Sequence, residues 1–173
     1  SKRRRIQSFA EFSLTFAPQY ACSASNERQF GRFFRGRAGQ AAAPDAATIL
    51  ATETCAYPGA NAVGQAHMSY PTNTYILRVR APVLFPEKFY LDCFAKGIGG
   101  IIIMSCGEEC PYPGAYHALA RRIDRVYQLM KAEAMDIRRL RLTAICTVCN
   151  RAFLKEVNAM NTLVRELGPP QLG

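Results

Sequence analysis

Residues 101–110 read IIIMSCGEEC, a run of apolar residues that stops at a pair of cysteines. The run is short, continuous and rich in β-branched residues, which is typical of a strand that is buried on both faces. Such strands occur in parallel sheets, because helices cover both faces of those sheets. The stretch therefore predicts a central strand of an α/β domain, with two thiols in the loop that follows it.

The sequence on either side alternates between strand-like and helix-like segments. The order β-α-β-α-β-α-β-α predicts an α/β fold with three layers and a four-stranded, mainly parallel sheet. Pro86 and Gly97 bracket the second helix, and Gly168 ends the last one. The predicted strands are 47–54, 74–81, 99–105 and 139–145, and the predicted helices are 57–69, 86–97, 115–134 and 150–167.

Positive charge is concentrated at the start of the chain. The net charge is +9, and residues 1–44 hold eight basic residues against two acidic ones. The pattern predicts an extended, basic and aromatic-containing N-terminal arm with a linker at 1–44, followed by the α/β domain at 45–173. Arginine and aromatic side chains suit protein contacts. A solvated leader and single-stranded nucleic acid binding are the alternatives. The candidate partner-binding residues are Arg3, Arg4, Arg5, Phe30, Arg32, Phe33, Phe34 and Arg35.

The sequence contains no apolar run of about 18 residues or more, so no transmembrane segment is expected. The basic start SKRRR is not followed by the apolar stretch of a signal peptide. A soluble, cytoplasmic protein is the expectation. In a reducing compartment the seven cysteines are expected to be thiols.

Five of these cysteines follow predicted strands. Loops after parallel strands meet at the carboxyl edge of the sheet, where ligands bind. Cys55 follows the first strand, Cys106 and Cys110 the third, and Cys146 and Cys149 the fourth. Thiolates suit iron–sulfur clusters or zinc. A thioredoxin-like pair at CTVC (146–149) and inert cysteines are the alternatives, and the first of these is disfavoured because CTVC follows the last strand.

Other residue types indicate no separate catalytic centre. His67 and His117 are expected at the surface, and Glu108 and Glu109 are loop charges or residues that tune a cluster. The sequence shows no P-loop, paired catalytic carboxylates or Ser-His-Asp set. An independent enzyme is therefore not expected.

From Cys55 onward the sequence resembles the iron–sulfur delta subunit of the methyl-viologen-reducing hydrogenase family. The resemblance covers about 115 of the 173 residues. It implies an electron-transfer subunit between a hydrogenase or dehydrogenase and a heterodisulfide-reductase-like flavoprotein. The matching segments are CAYPGANAVGQAHMSYPTN (55–73), ILRV (76–79), FAKG (94–97), GGIIIMSC (99–106), ARRIDRVYQLM (120–130), RLRL (139–142) and FLKEVNAMNTLVRELGP (153–169).

The cysteines depart from the pattern of that family. Thr52 and Ala81 stand where the family has cysteines, and SCGEEC (105–110) replaces a longer motif that contains histidine. Conversely, Cys146 and Cys149 stand where the family commonly has a loop containing Ser-Ala. These departures put the usual 2Fe–2S site of the family in doubt, but the lost and gained cysteines lie at the same edge of the predicted sheet. We therefore predict a relocated cluster held by Cys106, Cys110, Cys146 and Cys149, with Cys55 as an alternative or neighbouring ligand.

The expected cofactor is a 2Fe–2S cluster, with a 4Fe–4S cluster or zinc as alternatives. The expected partners are protein subunits of a redox complex, namely a hydrogenase or dehydrogenase and a heterodisulfide-reductase-like protein with flavin and iron–sulfur centres. Nucleic acid is not expected as a partner. Two other functions stay open, a zinc-stabilised module that binds nucleic acid and a cluster-free structural subunit.

Overall fold

A computed structural model of the chain describes residues 45–171, so the predicted arm at 1–44 lies outside the described residues. The strands are β1 (Ala47–Thr52), β2 (Thr74–Val79), β3 (Gly100–Ser105) and β4 (Leu140–Ala144). The helices are α1 (Ala56–Gln65), α2 (Glu87–Ala95), α3 (Ala115–Ala132) and α4 (Asn150–Leu167). Short 3-10 turns lie at Pro82–Leu84, Gly107–Glu109 and Ile137–Arg139.

The strands of residues 45–171 form one sheet in the order β2-β1-β3-β4, and all the neighbouring pairs are parallel. The predicted fold class and element order are confirmed. Ile49 of β1 lies between Ile76 of β2 and Ile102 of β3 in the strand register. Because β3 lies between β1 and β4, the stretch that begins at Ile101 is an interior strand, as its composition predicts. No helix within residues 45–171 has the length and apolar character that a bilayer span requires.

Alternating side chains of the interior strands supply two separate cores. Leu50, Ile101 and Ile103 pack with apolar residues of α2 and α3 on one face of the sheet. Ile49 and Ile102 pack with residues of α1 and α4 on the other face. Because successive strand residues point to opposite faces, a continuous apolar run is what two helical layers require. The sheet therefore lies between two layers of helices.

The first strand ends two residues earlier than predicted. The backbone turns after Thr52, whose Oγ1 accepts a hydrogen bond from the Ala56 N–H at 3.4 Å. The Thr52 hydroxyl thus accepts a hydrogen bond from the first turn of α1, and the strand ends at Thr52. This short connection places Cys55 at the N-cap of α1.

A buried arginine joins the amino edge of the sheet to the end of α4. Arg139 is only 4% exposed. Its guanidinium donates to the Gly99 carbonyl at 2.9 Å and to the carbonyls of Leu167, Gly168 and Pro169 at 2.9–3.3 Å. The last carbonyls of a helix lack intrahelical partners, and a cation offsets the negative end of the helix dipole. Arg139 therefore binds the carbonyls at and just after the C-terminal end of α4, whose C-cap residue is Gly168.

Gly100 is a site where a side chain does not fit. A Cβ atom there would lie 2.5 Å from Met160 Sδ and 2.7 Å from Val164 Cγ2, which belong to α4. We expect Gly100→Ala to lower the free energy of unfolding by about 1–3 kcal/mol, because the Met160 and Val164 side chains, or α4 with them, must move to make room. Urea denaturation followed by circular dichroism measures this loss.

Gly64→Ala is the matched control for that prediction. Gly64 lies near the end of α1, and a Cβ atom there would meet nothing within 4 Å. Alanine favours the helix over glycine by up to about 1 kcal/mol, so this variant should be unchanged or slightly more stable. Equal losses in the two variants would contradict the close packing of α4 on Gly100.

Candidate functional site

The carboxyl edge of the sheet carries all five cysteines that the sequence places after strands. We call this edge the cysteine rim and define it by Cys55, Cys106, Cys110, Cys146 and Cys149. These residues belong to three loops, which follow β1, β3 and β4. Because β3 lies between β1 and β4, the three loops are neighbours in space. The topology therefore brings the five cysteines to one edge of the sheet, as the sequence predicts.

Cys55 and Cys106 form the first pair of the rim. They are joined in a disulfide, with Cα atoms 5.5 Å apart, across a sequence separation of 51 residues. Both residues are half-buried. The Thr54 hydroxyl lies 3.5 Å from Cys55 Sγ and 3.7 Å from Cys106 Sγ. The pair thus links the loops that follow two adjacent parallel strands.

Cys146 and Cys149 form the second pair. They are also joined in a disulfide, with Cα atoms 5.3 Å apart, and the Cys149 N–H donates to the Cys146 carbonyl at 3.3 Å. Cys146 is exposed, whereas Cys149 is half-buried at the N-cap of α4. The CTVC segment is therefore a tight turn that ends at a helix.

The two pairs lie in loops that approach each other closely. A Cβ atom at Gly59 of α1 would lie 3.5 Å from the Cys146 carbonyl oxygen and 3.8 Å from that of Thr147. Gly107, which has a φ of 64°, follows Cys106 and packs against Ala144 at the end of β4. The backbone of Gly107 therefore requires glycine, whereas Gly59 marks the place where α1 lies beside the CTVC turn.

Each pair contains one cysteine at the N-cap of a helix. Cys55 occupies this position in α1 and Cys149 in α4. The first backbone N–H groups of a helix and its dipole stabilise negative charge, so a thiolate at the N-cap is favoured. By contrast, burial raises the pKa of the Cys93 thiol inside α2, which fits its predicted role as a small apolar residue.

The pairing differs from the sequence prediction in two respects. The sequence predicts thiols, but four of the cysteines are closed as disulfides, because the loops bring their Cα atoms within the range of that bond. The structure also pairs Cys55 and leaves Cys110 outside both disulfides. Cys110 follows the turn Gly107–Glu109 and is half-buried. The choice of ligands among the five cysteines stays a prediction.

The rim supplies sulfur donors, but they are not arranged as a preformed metal site. Within residues 45–171, no group of three or more His, Cys, Asp or Glu side chains surrounds a single point. Reduction of both disulfides would release four thiols from three adjacent loops, which is the number and kind of donors that an iron–sulfur cluster takes. The donor set therefore fits a cluster in its chemistry, and only in the reduced form of the rim.

Two residues of this site were not identified from the sequence. Thr54 contacts both sulfurs of the first pair through its hydroxyl. Gly59 of α1 lies beside the Cys146 and Thr147 carbonyls, and nothing in the sequence around it signals that contact. His67 and His117 are exposed, as expected.

A charged and aromatic contact flanks the rim on the side of β2. Arg78 of β2 forms an ion pair with Glu53, which lies in the loop after β1. The Arg78 guanidinium also lies over the ring of Tyr57 in α1, 5.5 Å from its centroid. These contacts fix the start of α1 beside Cys55, so they help to position the first pair.

Comparison with known families gives one match over most of the chain. The model of the family described as methyl-viologen-reducing hydrogenase, delta subunit, matches residues 47–168. This range begins with β1 and ends just after α4. It therefore contains the whole sheet and the cysteine rim.

Two curated relatives come from species of Methanosarcina, and both are the A-type chains of heterodisulfide reductases. One belongs to the ferredoxin/F420H2-dependent CoB-CoM heterodisulfide reductase of Methanosarcina acetivorans and is 26% identical over 116 residues. The other belongs to the ferredoxin:CoB-CoM heterodisulfide reductase of Methanosarcina mazei and is 25% identical over 116 residues. Each match covers 66% of this chain but 15% of the relative, so the resemblance is to a small part of a much longer protein.

Proposed function

Because this chain belongs to the delta-subunit family of the methyl-viologen-reducing hydrogenase, through residues 47–168, we propose that it is an electron-transfer subunit of a larger redox complex. The observation that carries this proposal is the cysteine rim. Four of its sulfurs come from three adjacent loops, and each of the two pairs has one member at a helix N-cap.

The proposed cofactor is an iron–sulfur cluster at the reduced rim. Cys55, Cys106, Cys146 and Cys149 are the proposed ligands, since these are the cysteines that the structure brings into pairs. A bound cluster would supply one-electron transfer. A 2Fe–2S form is proposed first, with a 4Fe–4S cluster or zinc as the alternatives.

The surrounding residues would hold and tune such a site. The N–H groups at the starts of α1 and α4 lie next to Cys55 and Cys149 and would stabilise their thiolates. The Thr54 hydroxyl can donate to a thiolate sulfur of the first pair. Gly107 would keep the loop after β3 close to the end of β4, next to the second pair.

The proposed partners are proteins. The two relatives are chains of heterodisulfide reductases, so we propose docking to a heterodisulfide-reductase-like subunit that carries flavin and iron–sulfur centres, with a hydrogenase or dehydrogenase as electron donor. The cytoplasm is the proposed compartment. The arm residues named from the sequence, which lie outside the described residues, are proposed to contact these partners.

Metal analysis of the full chain tests the proposal. After anaerobic reduction and reconstitution with iron and sulfide, we expect about two iron and two labile sulfide ions per chain if the cluster is 2Fe–2S. The reduced protein should show an EPR signal that disappears on oxidation. Metal without labile sulfide would indicate zinc or mononuclear iron, and a chain free of metal would sink the electron-transfer role.

A cluster-free structural subunit is the second candidate. The closed disulfides favour it, because a sulfur in a disulfide is not available to a metal. This candidate predicts that the reduced chain assembles with its partner without taking up iron. Co-purification of the two proteins, with iron measured on the same sample, separates the two candidates.

A further inference from the structure

The CTVC turn has an exposed and a protected sulfur. Cys146 is exposed, and Val148 between the two cysteines is 79% exposed. Cys149 is half-buried and packs against the core that α1 and α4 share with the sheet. A thiol that approaches from solvent therefore meets Cys146 Sγ first.

The other end of this disulfide lies at the positive end of a long helix. α4 has 18 residues, and Cys149 is its N-cap. The helix opens on Asn150, Arg151 and Ala152, so the N-terminal charge is not offset by a carboxylate there. Negative charge that develops on Cys149 Sγ when the disulfide breaks is stabilised by this helix end.

The first pair also has a cysteine at a helix N-cap, Cys55, but it is less accessible to an external thiol. Cys55 and Cys106 are both half-buried, and their disulfide ties two separate loops together. Opening it would release a link across 51 residues of sequence, whereas opening the second pair releases only a four-residue turn. The two disulfides are thus expected to differ in reactivity.

We propose that Cys146 and Cys149 form a thiol–disulfide exchange site whose substrates are dithiols and disulfides. A thiolate of an external dithiol attacks Cys146 Sγ, the Cys146–Cys149 bond breaks, and Cys149 leaves as a thiolate that takes a proton from solvent. The second thiolate of the external molecule then attacks its own sulfur in the mixed disulfide and releases Cys146. Two electrons pass from the external dithiol to the turn, and the reverse sequence reduces an external disulfide.

This inference goes beyond the proposed electron-transfer role and does not need a cluster. The same two sulfurs cannot ligate iron and form a disulfide at one time, so exchange belongs to the iron-free chain. Cytosolic disulfides of this kind are usually transient and catalytic or redox-sensing. The exposed Cys146 and the N-cap position of Cys149 provide the directionality that an exchange site needs.

The rate at which each disulfide opens tests the proposal. The full-length, iron-free chain is incubated with reduced glutathione, samples are alkylated at intervals, and peptide mass spectrometry measures the free thiols. We expect Cys146 and Cys149 to open roughly tenfold faster than Cys55 and Cys106, because Cys146 is exposed whereas both cysteines of the first pair are half-buried. Equal rates, a faster first pair, or four thiols free before reduction would overturn the proposal.

Single-cysteine variants test the direction of attack. With oxidised glutathione, Cys149→Ser should accumulate a mixed disulfide at Cys146, since the second thiol is missing. Cys146→Ser should form about tenfold less at the protected Cys149. Cys110→Ser, which alters a cysteine outside both pairs, is the control and should exchange like the unaltered chain. More mixed disulfide at Cys149 than at Cys146 would contradict the assignment, whatever the iron content of the reconstituted chain.

Discussion

Bound iron should fall to nearly zero when Cys106 is replaced by alanine and the chain is reconstituted under reducing conditions. Cys106 belongs to both possible ligand sets, as do Cys146 and Cys149, and the structure pairs it with Cys55. Alanine removes the thiolate and supplies no substitute donor. A four-thiolate cluster that loses one ligand binds poorly or decomposes. Iron and labile sulfide per chain are the quantities to measure.

Cys55→Ala and Cys110→Ala form a matched pair that separates the ligand sets. Both residues are half-buried members of the rim, but only Cys55 is joined to a second cysteine. We expect Cys55→Ala to lose iron like Cys106→Ala, and Cys110→Ala to retain it. The reverse result would favour the set with Cys110, which was predicted from the sequence. Full iron content in Cys106→Ala would contradict both sets.

The largest effect on stability is expected at Arg139. Arg139→Met removes four hydrogen bonds to carbonyls at the end of α4 and before β3. Hydrogen bonds to charged groups contribute about 1.5–3 kcal/mol each without being additive, so we expect a loss of about 3–5 kcal/mol in the free energy of unfolding. Methionine fills much of the space but leaves the buried carbonyls without this partner. Denaturant titration measures the loss.

Arg138→Met is the control for that prediction. Arg138 is the adjacent residue, is exposed, and forms an ion pair with Asp136 at 2.6 Å. Exposed pairs contribute about 1 kcal/mol or less, so this variant should stay within that range. If both substitutions had similar effects, the carbonyl contacts of Arg139 would not contribute measurably to stability.

Much of the fold follows from local patterns in the sequence. The apolar run that starts at Ile101 predicts a doubly covered strand, and α4 begins and ends at the predicted residues Asn150 and Leu167. Gly168 explains the end of that helix, since its φ of 67° favours glycine. Local patterns could not predict the order of the strands in the sheet, because that order depends on which strands pair across long stretches of sequence. Helix α1 begins at Ala56, one residue before its predicted start, because the Thr52 hydroxyl accepts a hydrogen bond from the Ala56 N–H.

The gathering of the five cysteines at one edge of the sheet was predictable, but their pairing was not. Loops after parallel strands must meet at one edge, so the gathering of the five cysteines follows from their positions in sequence. The link between Cys55 and Cys106 depends on β1 and β3 being neighbours, which a single sequence does not specify. Likewise, the buried position of Arg139 is hidden in sequence, because RRLRL reads equally well as an exposed basic segment.

The contacts of Arg139 also indicate where the domain can be attached to a surface. They tie Pro169 beside Gly99, and Ala47 begins β1 at the same edge. Strands of five or six residues span about 17–20 Å, so both ends of the described chain leave the domain that far from the cysteine rim. A surface tether attached after Pro169 should therefore leave the rim facing solution, so a sensor chip prepared in this way can present this face to candidate partners.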